Sequence, residues 1–165
     1  MTTKTWASGN TFTSADANSY IRDEIVTCAC VARANGTQGI ANNTTTNVLW
    51  QTEDYDTDGM HSTASNTNLF TPTYSGIYVI QGAIELTNGS GGTIREVWVR
   101  KNGAGQYGIQ AELYTVNGYW WDFDVHSVPV SMNGTTDNLE LTVYHDQGTT
   151  LTINLGVVSI YRLRA

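Results

Sequence analysis

The sequence predicts an all-β protein, an antiparallel sandwich of eight or more short strands preceded by a short arm and one helix. The chain is rich in Thr, Val, Tyr and Trp, which suit pleated sheets, and its 16 glycines and many asparagines suit tight turns. From residue 28 onward the apolar pattern has a period of two, and Asn-Gly dipeptides separate the runs. At 165 residues the chain is long enough for one domain with a full core.

The first 27 residues differ from the rest and predict the arm and the helix. The segment from Thr13 to Asp16 has the form of a capping box, and a helix is expected from Ser14 to Val26. Such a helix is too short to be stable alone, so it must pack on its own domain, on sister chains or on a larger assembly. We therefore divide the chain into an attachment segment, 1–27, and a sandwich, 28–165. The apolar residues expected to make the attachment are Trp6, Phe12, Tyr20, Ile21 and Ile25.

The strands of the sandwich are predicted from alternation. In the strongest one, 77–86, Tyr78 and Ile80 begin a buried face that continues with Ile84 and Leu86. An acidic segment with Glu53, Asp54, Asp56 and Asp58 is predicted to be a loop. Seven of the expected strands have clear ranges, namely 28–33, 77–86, 94–101, 107–113, 119–130, 139–145 and 157–163.

Net charge limits the partners. Eight basic and fifteen acidic residues give a charge of −7, which repels phosphate backbones and anionic membrane surfaces. The apolar runs are only a few residues long, so no segment is expected to enter a membrane. The start of the chain lacks the apolar stretch of a secretion signal, so synthesis in a cytoplasm is expected.

The two cysteines, Cys28 and Cys30, are two residues apart on a predicted strand. Their side chains would point the same way, and a disulfide across that spacing would be strained. We expect two small buried thiols.

One segment has the spacing of a metal loop. Asp54, Asp56 and Asp58 alternate and Gly59 follows, as in the first half of a calcium loop, but Ser65 stands where a bidentate glutamate is expected. The alternative is a solvated acidic loop without a cofactor. The histidines His61, His126 and His145 are isolated in sequence, and surface or cross-strand positions are expected for them.

One turn concentrates aromatic residues, and its rings could stack on the sugars of a glycan while neighbouring amides bind hydroxyl groups. The alternative is that these rings fill the core or a subunit interface. The residues are Tyr114, Asn117, Tyr119, Trp120 and Trp121.

Signals of catalysis are sparse. The sequence holds no G-x-S-x-G, H-E-x-x-H or phosphate-binding loop. Alternating acids such as Asp122 and Asp124 suit an exposed strand face. We expect a protein that is not an enzyme.

The order of motifs along residues 28–165 resembles the globular head of the complement q subcomponent, a member of the tumour-necrosis-factor-like jelly rolls. The matching segments are Val31-Ala32-Arg33, Phe70-Thr71-Pro72, Ser75-Gly76-Ile77-Tyr78, Val97-Trp98-Val99-Arg100-Lys101-Asn102-Gly103, Leu139-Glu140-Leu141-Thr142-Val143-Tyr144 and Val158-Ser159-Ile160-Tyr161-Arg162-Leu163. This resemblance implies a jelly-roll sandwich that forms homotrimers. Abundant strand aromatics agree with it, because three-fold association would bury surplus apolar surface. These aromatics are Trp98, Trp120, Trp121, Tyr144 and Tyr161.

The N-terminal part resembles the opening of small tail-associated proteins of bacteriophages. The matching segments are Thr5-Trp6, Thr11-Phe12-Thr13-Ser14-Ala15-Asp16, Asn18-Ser19-Tyr20-Ile21-Arg22-Asp23 and Asp56-Thr57-Asp58-Gly59-Met60-His61-Ser62. This resemblance implies a virion protein that is held to other virion proteins by residues 1–27 and carries a trimeric knob for host-surface binding, as in a tail fibre or tail tip. The alternative is a capsid decoration or head-fibre protein attached through the same arm.

Overall fold

The computed structural model describes residues 13–14, 28–87, 91–112 and 121–164, and for residues 106–112, 121, 127 and 164 it describes the backbone alone. The part described from residue 28 onward consists of ten strands and their connections. In chain order the strands are β1 (Ala29–Ala34), β2 (Gly39–Ile40), β3 (Thr46–Asn47), β4 (Thr52–Asp56), β5 (Ser75–Leu86), β6 (Arg95–Lys101), β7 (Ala104–Glu112), β8 (Trp121–Asn133), β9 (Leu139–His145) and β10 (Leu151–Arg164).

The strands form two sheets, and every pair is antiparallel. The large sheet has the order β4-β1-β10-β5-β8, with β2 also paired to β10, and the small sheet has the order β3-β9-β6-β7. Strands that are distant in sequence, such as β1 and β10, are therefore neighbours, as the crossing connections of a jelly roll require. The predicted fold class, an antiparallel jelly-roll sandwich, is confirmed.

The core lies between the two sheets and follows the predicted alternation. Tyr78, Ile80, Ile84 and Leu86 of β5 are fully buried, as the sequence predicts. Phe123 and Val125 of β8 are buried too, whereas Asp122, Asp124 and His126, which alternate with them, are exposed. The small sheet contributes alternate residues of β6 and β9, namely Val97, Val99, Leu139, Leu141 and Val143.

Asn-Gly dipeptides close the turns as predicted. Asn102 and Gly103 both have positive φ values, 54° and 68°, and connect β6 to β7 through the pair Lys101–Ala104. This is the conformation that a two-residue hairpin turn needs, and Asn and Gly tolerate it best. In the turn after β8 the Asn133 side-chain oxygen accepts hydrogen bonds from the backbone amides of residues 135, 136 and 137.

Two strand predictions need correction. The acidic segment predicted as a loop is largely a strand, β4, which pairs with β1 at the edge of the large sheet. Charged side chains are usual on an edge strand, where they oppose pairing with other chains. The last strand begins at Leu151, six residues before the predicted start, because a bulge between Ile153 and Leu155 interrupts its alternation.

The predicted helix from Ser14 to Val26 lies almost wholly outside the described residues, and so does the attachment segment. The division of the chain at residue 28 therefore stays a prediction. Within the described part no helix is long and apolar enough to cross a membrane.

Candidate interaction surfaces

The outward face of the large sheet carries many apolar side chains, with polar residues such as Arg33 and Glu85 between them. Register places Val31, Tyr161 and Val79 on this face, which is opposite to the core face of their strands. Several of its side chains are well exposed: Tyr55 by 50%, Leu155 by 54% and Leu163 by 56%. The face also carries Ala29, Ile77, Ala83, Pro129 and Val157.

The signal for this face is present in the sequence, although alternation alone misses it. In β5 the run Ile77-Tyr78-Val79-Ile80 is apolar at consecutive positions, and in β10 the pairs Val157-Val158 and Ile160-Tyr161 are as well. Strands that are apolar on both faces are typical of sheets that are covered on both sides. Such runs indicate that something covers the outward face.

A hollow of about 390 Å³ lies on this face over β10, β5 and β8, toward the β8 edge of the sheet. Its floor is apolar, with Ala83, Val125 and Val157 among the lining residues, and Gln81, Ser159, Asp124 and His126 supply polar groups at its rim. Strands β5 and β10 approach closely here, since a Cβ on Gly82 would lie 2.4 Å from the carbonyl oxygen of Val157. Sequence reasoning did not identify this hollow, because its residues come from three strands.

The outward face of the small sheet is more polar. The rings of Trp98 and Tyr144 are parallel within 8°, with centroids 6.4 Å apart, and the guanidinium of Arg100 lies 6.0 Å from the Trp98 ring centroid. Glu140 is buried beside them and accepts hydrogen bonds from two side-chain amides, those of Asn47 (2.7 Å) and Asn68 (3.1 Å). These contacts tie the loops that cross this face to β9.

Of the strand aromatics considered for a subunit interface, Tyr161 lies on the apolar face of the large sheet, whereas Trp98 and Tyr144 pack on each other on the small sheet. The side chains of Trp120 and Trp121 lie outside the described part of the structure.

The three candidate calcium ligands have separate protein partners. Asp54 is the extra residue at a bulge in β4 and binds the Arg33 guanidinium, with nitrogen–oxygen distances of 2.8 and 2.6 Å. Asp56 accepts the backbone amides of Asp58 (3.1 Å) and His61 (2.8 Å). Asp58 itself accepts the amide and the hydroxyl of Thr73. The hydrogen bond and charge of Arg33 lower the pKa of Asp54.

Calcium binding at these carboxylates stays a prediction. The bulge separates Asp54, which faces outward toward Arg33, from Asp56, which pairs with the core-facing Cys30. Among the described residues, no three His, Cys, Asp or Glu side chains form a group that could hold a metal ion.

The three histidines are in different environments. His126 is exposed at the rim of the hollow, as expected. His61 is buried, with its ring nitrogens 2.7 Å from a Glu53 oxygen and 3.0 Å from the Thr67 carbonyl, and it stacks on Phe70. His145 is buried against the carbonyl of Ile40 at 2.9 Å. The expected surface or cross-strand positions therefore hold for His126 at the surface and for His145, which pairs with Arg95 across β9 and β6, and not for His61.

Both cysteines are buried thiols, as predicted, and their side chains are completely inaccessible. Burial, reinforced by the nearby carboxylates of Asp56 and Glu53, raises the pKa of Cys30 to about 12. Burial raises the pKa of Cys28 as well. Neither thiol is therefore ionised at neutral pH, which makes both poor nucleophiles.

Two sets of predicted residues fall outside the described part of the chain. The candidate glycan residues are Tyr114, Asn117, Tyr119, Trp120 and Trp121, of which only the backbone of Trp121 is described, at the start of β8. The second set is the attachment residues Trp6, Phe12, Tyr20, Ile21 and Ile25. Both assignments stay predictions.

The sequence matches no protein-family model, and no curated protein matches it. Solved structures do share its fold. PRD1 vertex protein P5 is 14% identical with a TM-score of 0.56, over 83% of this chain and 97% of that chain. The Eiger TNF of S. frugiperda is 13% identical with a TM-score of 0.55, over 83% and 92%. Murine APRIL is 9% identical with a TM-score of 0.51, over 82% and 99%. The chain therefore has the antiparallel jelly-roll fold of the tumour-necrosis-factor-like proteins.

Proposed function

We propose that the chain is a non-enzymatic structural protein of a bacteriophage virion, in which three copies form a knob that presents loops to the host surface. The fold supports this proposal because PRD1 vertex protein P5 shares it, and that protein is named for a position on a virus particle. The sequence resemblance of the N-terminal segment to phage tail-associated proteins supports it independently.

The observation that carries the trimer is the apolar outward face of the large sheet. A sandwich that stays alone in water normally presents polar residues there. In this chain Tyr55, Leu155 and Leu163 are each at least half exposed, and the partly exposed Val31 and Tyr161 lie on the same face. Removing one such side chain from water contributes about 1.5–3 kcal/mol. Closed three-fold association would cover the same face on every copy.

In this proposal the two undescribed regions have separate roles. Residues 1–27 attach the knob to other virion proteins, and the turn that carries Tyr119 and Trp120 contacts a host-surface glycan. Three identical weak sites on one knob, and several knobs on one particle, would bind with a high effective concentration. Such a protein needs no tight single site.

The second candidate is a capsid decoration or head-fibre protein with little receptor specificity. The name of PRD1 vertex protein P5 favours this candidate, since a vertex belongs to a capsid and not to a tail. The two candidates share the trimer and differ in what the exposed loops bind.

Binding of the purified protein to host cells tests the receptor role. We expect it to adsorb to cells of the host and to reduce adsorption of the phage. Tyr119→Ala and Trp120→Ala should abolish adsorption without changing the assembled mass, whereas Tyr74→Ala, an exposed aromatic elsewhere, should not. Normal adsorption of both Tyr119→Ala and Trp120→Ala would contradict the glycan assignment. If the protein labels phage particles and never cells, the decoration role is the correct one.

A further inference from the structure

The hollow over Gly82 has a shape and chemistry that select its occupant. It measures about 390 Å³, its floor carries Ala83 and Val157, and its rim carries the exposed Asp124 and His126. An occupant should therefore be apolar along its body and polar at its tip. Tyrosine is the side chain with that combination.

We propose that in the trimer the side chain of Tyr55 of one subunit fills this hollow on the next, so that each subunit contributes one ring and receives one. This inference rests on the proposed trimer. Tyr55 lies on the edge strand β4 and is 50% exposed on the same outward face as the hollow. Its ring would contact the apolar floor, and its hydroxyl would donate to the Asp124 carboxylate or accept from His126.

The strand register places ring and hollow at a suitable separation. Tyr55 pairs with Val31, Val31 with Ser159, and Ser159 with Gln81, so the ring and the hollow share one row across the sheet. Three strand steps amount to about 14 Å. In a three-fold ring, a point on one subunit can meet a different point on its neighbour only if both points lie at the same distance from the axis. For two points about 14 Å apart on one subunit, that distance is about 8 Å.

The other exposed apolar side chains on this face fit less well. Leu155 is on β10, the strand that lines the hollow through Val157, but its side chain would leave Asp124 and His126 at the rim without a polar partner. Leu163 has no polar tip to meet Asp124 or His126, and it serves as the control.

Photo-crosslinking tests the pairing directly. The full chain would be made with p-benzoylphenylalanine in place of Tyr55, and separately in place of Leu163, as a mixture of isotopically light and heavy copies. We expect irradiation of the Tyr55 variant to join light to heavy chains, with the attachment mapped by mass spectrometry to residues 81–83, 124–126 or 157–159. The Leu163 variant should not label those residues.

Substitution gives a second readout. Tyr55→Ala should raise the concentration at which the trimer dissociates by about 30-fold or more, as expected for a central aromatic contact. Tyr55→Phe should retain most of the affinity, since it loses only the hydroxyl. Leu163→Ala should have a smaller effect than Tyr55→Ala.

The outcomes separate this inference from the proposal beneath it. A trimer whose crosslinks from position 55 map away from the hollow would overturn the pairing and leave the trimer standing. A wild-type chain that sediments as a single subunit would overturn the trimer as well. Crosslinks within one chain, light to light only, would also overturn the pairing.

Discussion

At the scale of single residues, the loop after β9 depends on one carboxylate. Asp146 accepts hydrogen bonds from the backbone amides of Thr93 and Ile94, both at 2.7 Å, and from the Thr93 hydroxyl at 3.0 Å. These bonds hold the start of β6 against the end of β9. The amide of Ile94 makes the largest contribution to lowering the pKa of Asp146.

Asp146→Asn is expected to reduce the free energy of unfolding by about 1 kcal/mol at pH 7, because the two amides would then bond to a neutral amide oxygen, which is a weaker acceptor than a carboxylate. The pKa is lower in the folded chain than in the unfolded one, so the stabilisation is complete above the usual aspartate range and disappears as the pH falls through the folded value. The difference between wild type and variant should therefore shrink below about pH 4. Denaturant melts across pH measure it.

Asp122→Asn is the matched control, since Asp122 lies exposed on β8. Its effect should stay within about 0.5 kcal/mol at every pH. An Asp146→Asn variant as stable as wild type at pH 7 would contradict the assigned role of these hydrogen bonds.

At the scale of elements, alternation predicted the strands that bury one face, and β9 coincides with its predicted range, 139–145. Alternation did not predict three features of the strands. The bulge in β10 shifts the phase of the alternation, so Leu151 and Ile153 do not read as part of the same strand. The acidic composition of β4 conceals an edge strand. The pairing of β1 with β10 depends on sequence-distant contacts that no local pattern encodes.

Gly82→Ala is expected to destabilise the large sheet by about 2 kcal/mol, because its Cβ would overlap the Val157 carbonyl at 2.4 Å and force β5 and β10 apart. The control is Gly39→Ala in β2, whose Cβ would meet only the Thr150 methyl at 3.3 Å. Thermal melting of both variants checks this. Equal melting temperatures for Gly82→Ala and wild type would mean that the strands can separate there without cost.

Chelation tests whether the acidic residues of β4 and of the turn that follows it bind calcium. Asp54, Asp56 and Asp58 are bound to Arg33, to backbone amides and to Thr73 respectively. We expect the melting temperature to be the same with excess EDTA as with added calcium, since folding already satisfies these carboxylates. A rise of several degrees on adding calcium, lost in Asp56→Asn, would establish the calcium site instead.

At the scale of the whole molecule, two faces of the sandwich differ in a way that assigns them different roles. The small sheet presents a polar and aromatic surface crossed by loops that are tied to Glu140. The large sheet presents exposed apolar side chains and the hollow over β10, β5 and β8. The sequence indicated surplus apolar surface, but only the register of β1, β10 and β5 assigns most of it to one face. Residue composition cannot distinguish a surplus spread over the surface from one that forms an interface.

The mass of the wild-type chain in solution tests this account most directly. Sedimentation equilibrium at micromolar concentration should give three times the 18.0 kDa of one chain, because the outward face of the large sheet is expected to be covered by two sister copies. A single species of 18.0 kDa that remains soluble and unassociated at that concentration would contradict the account.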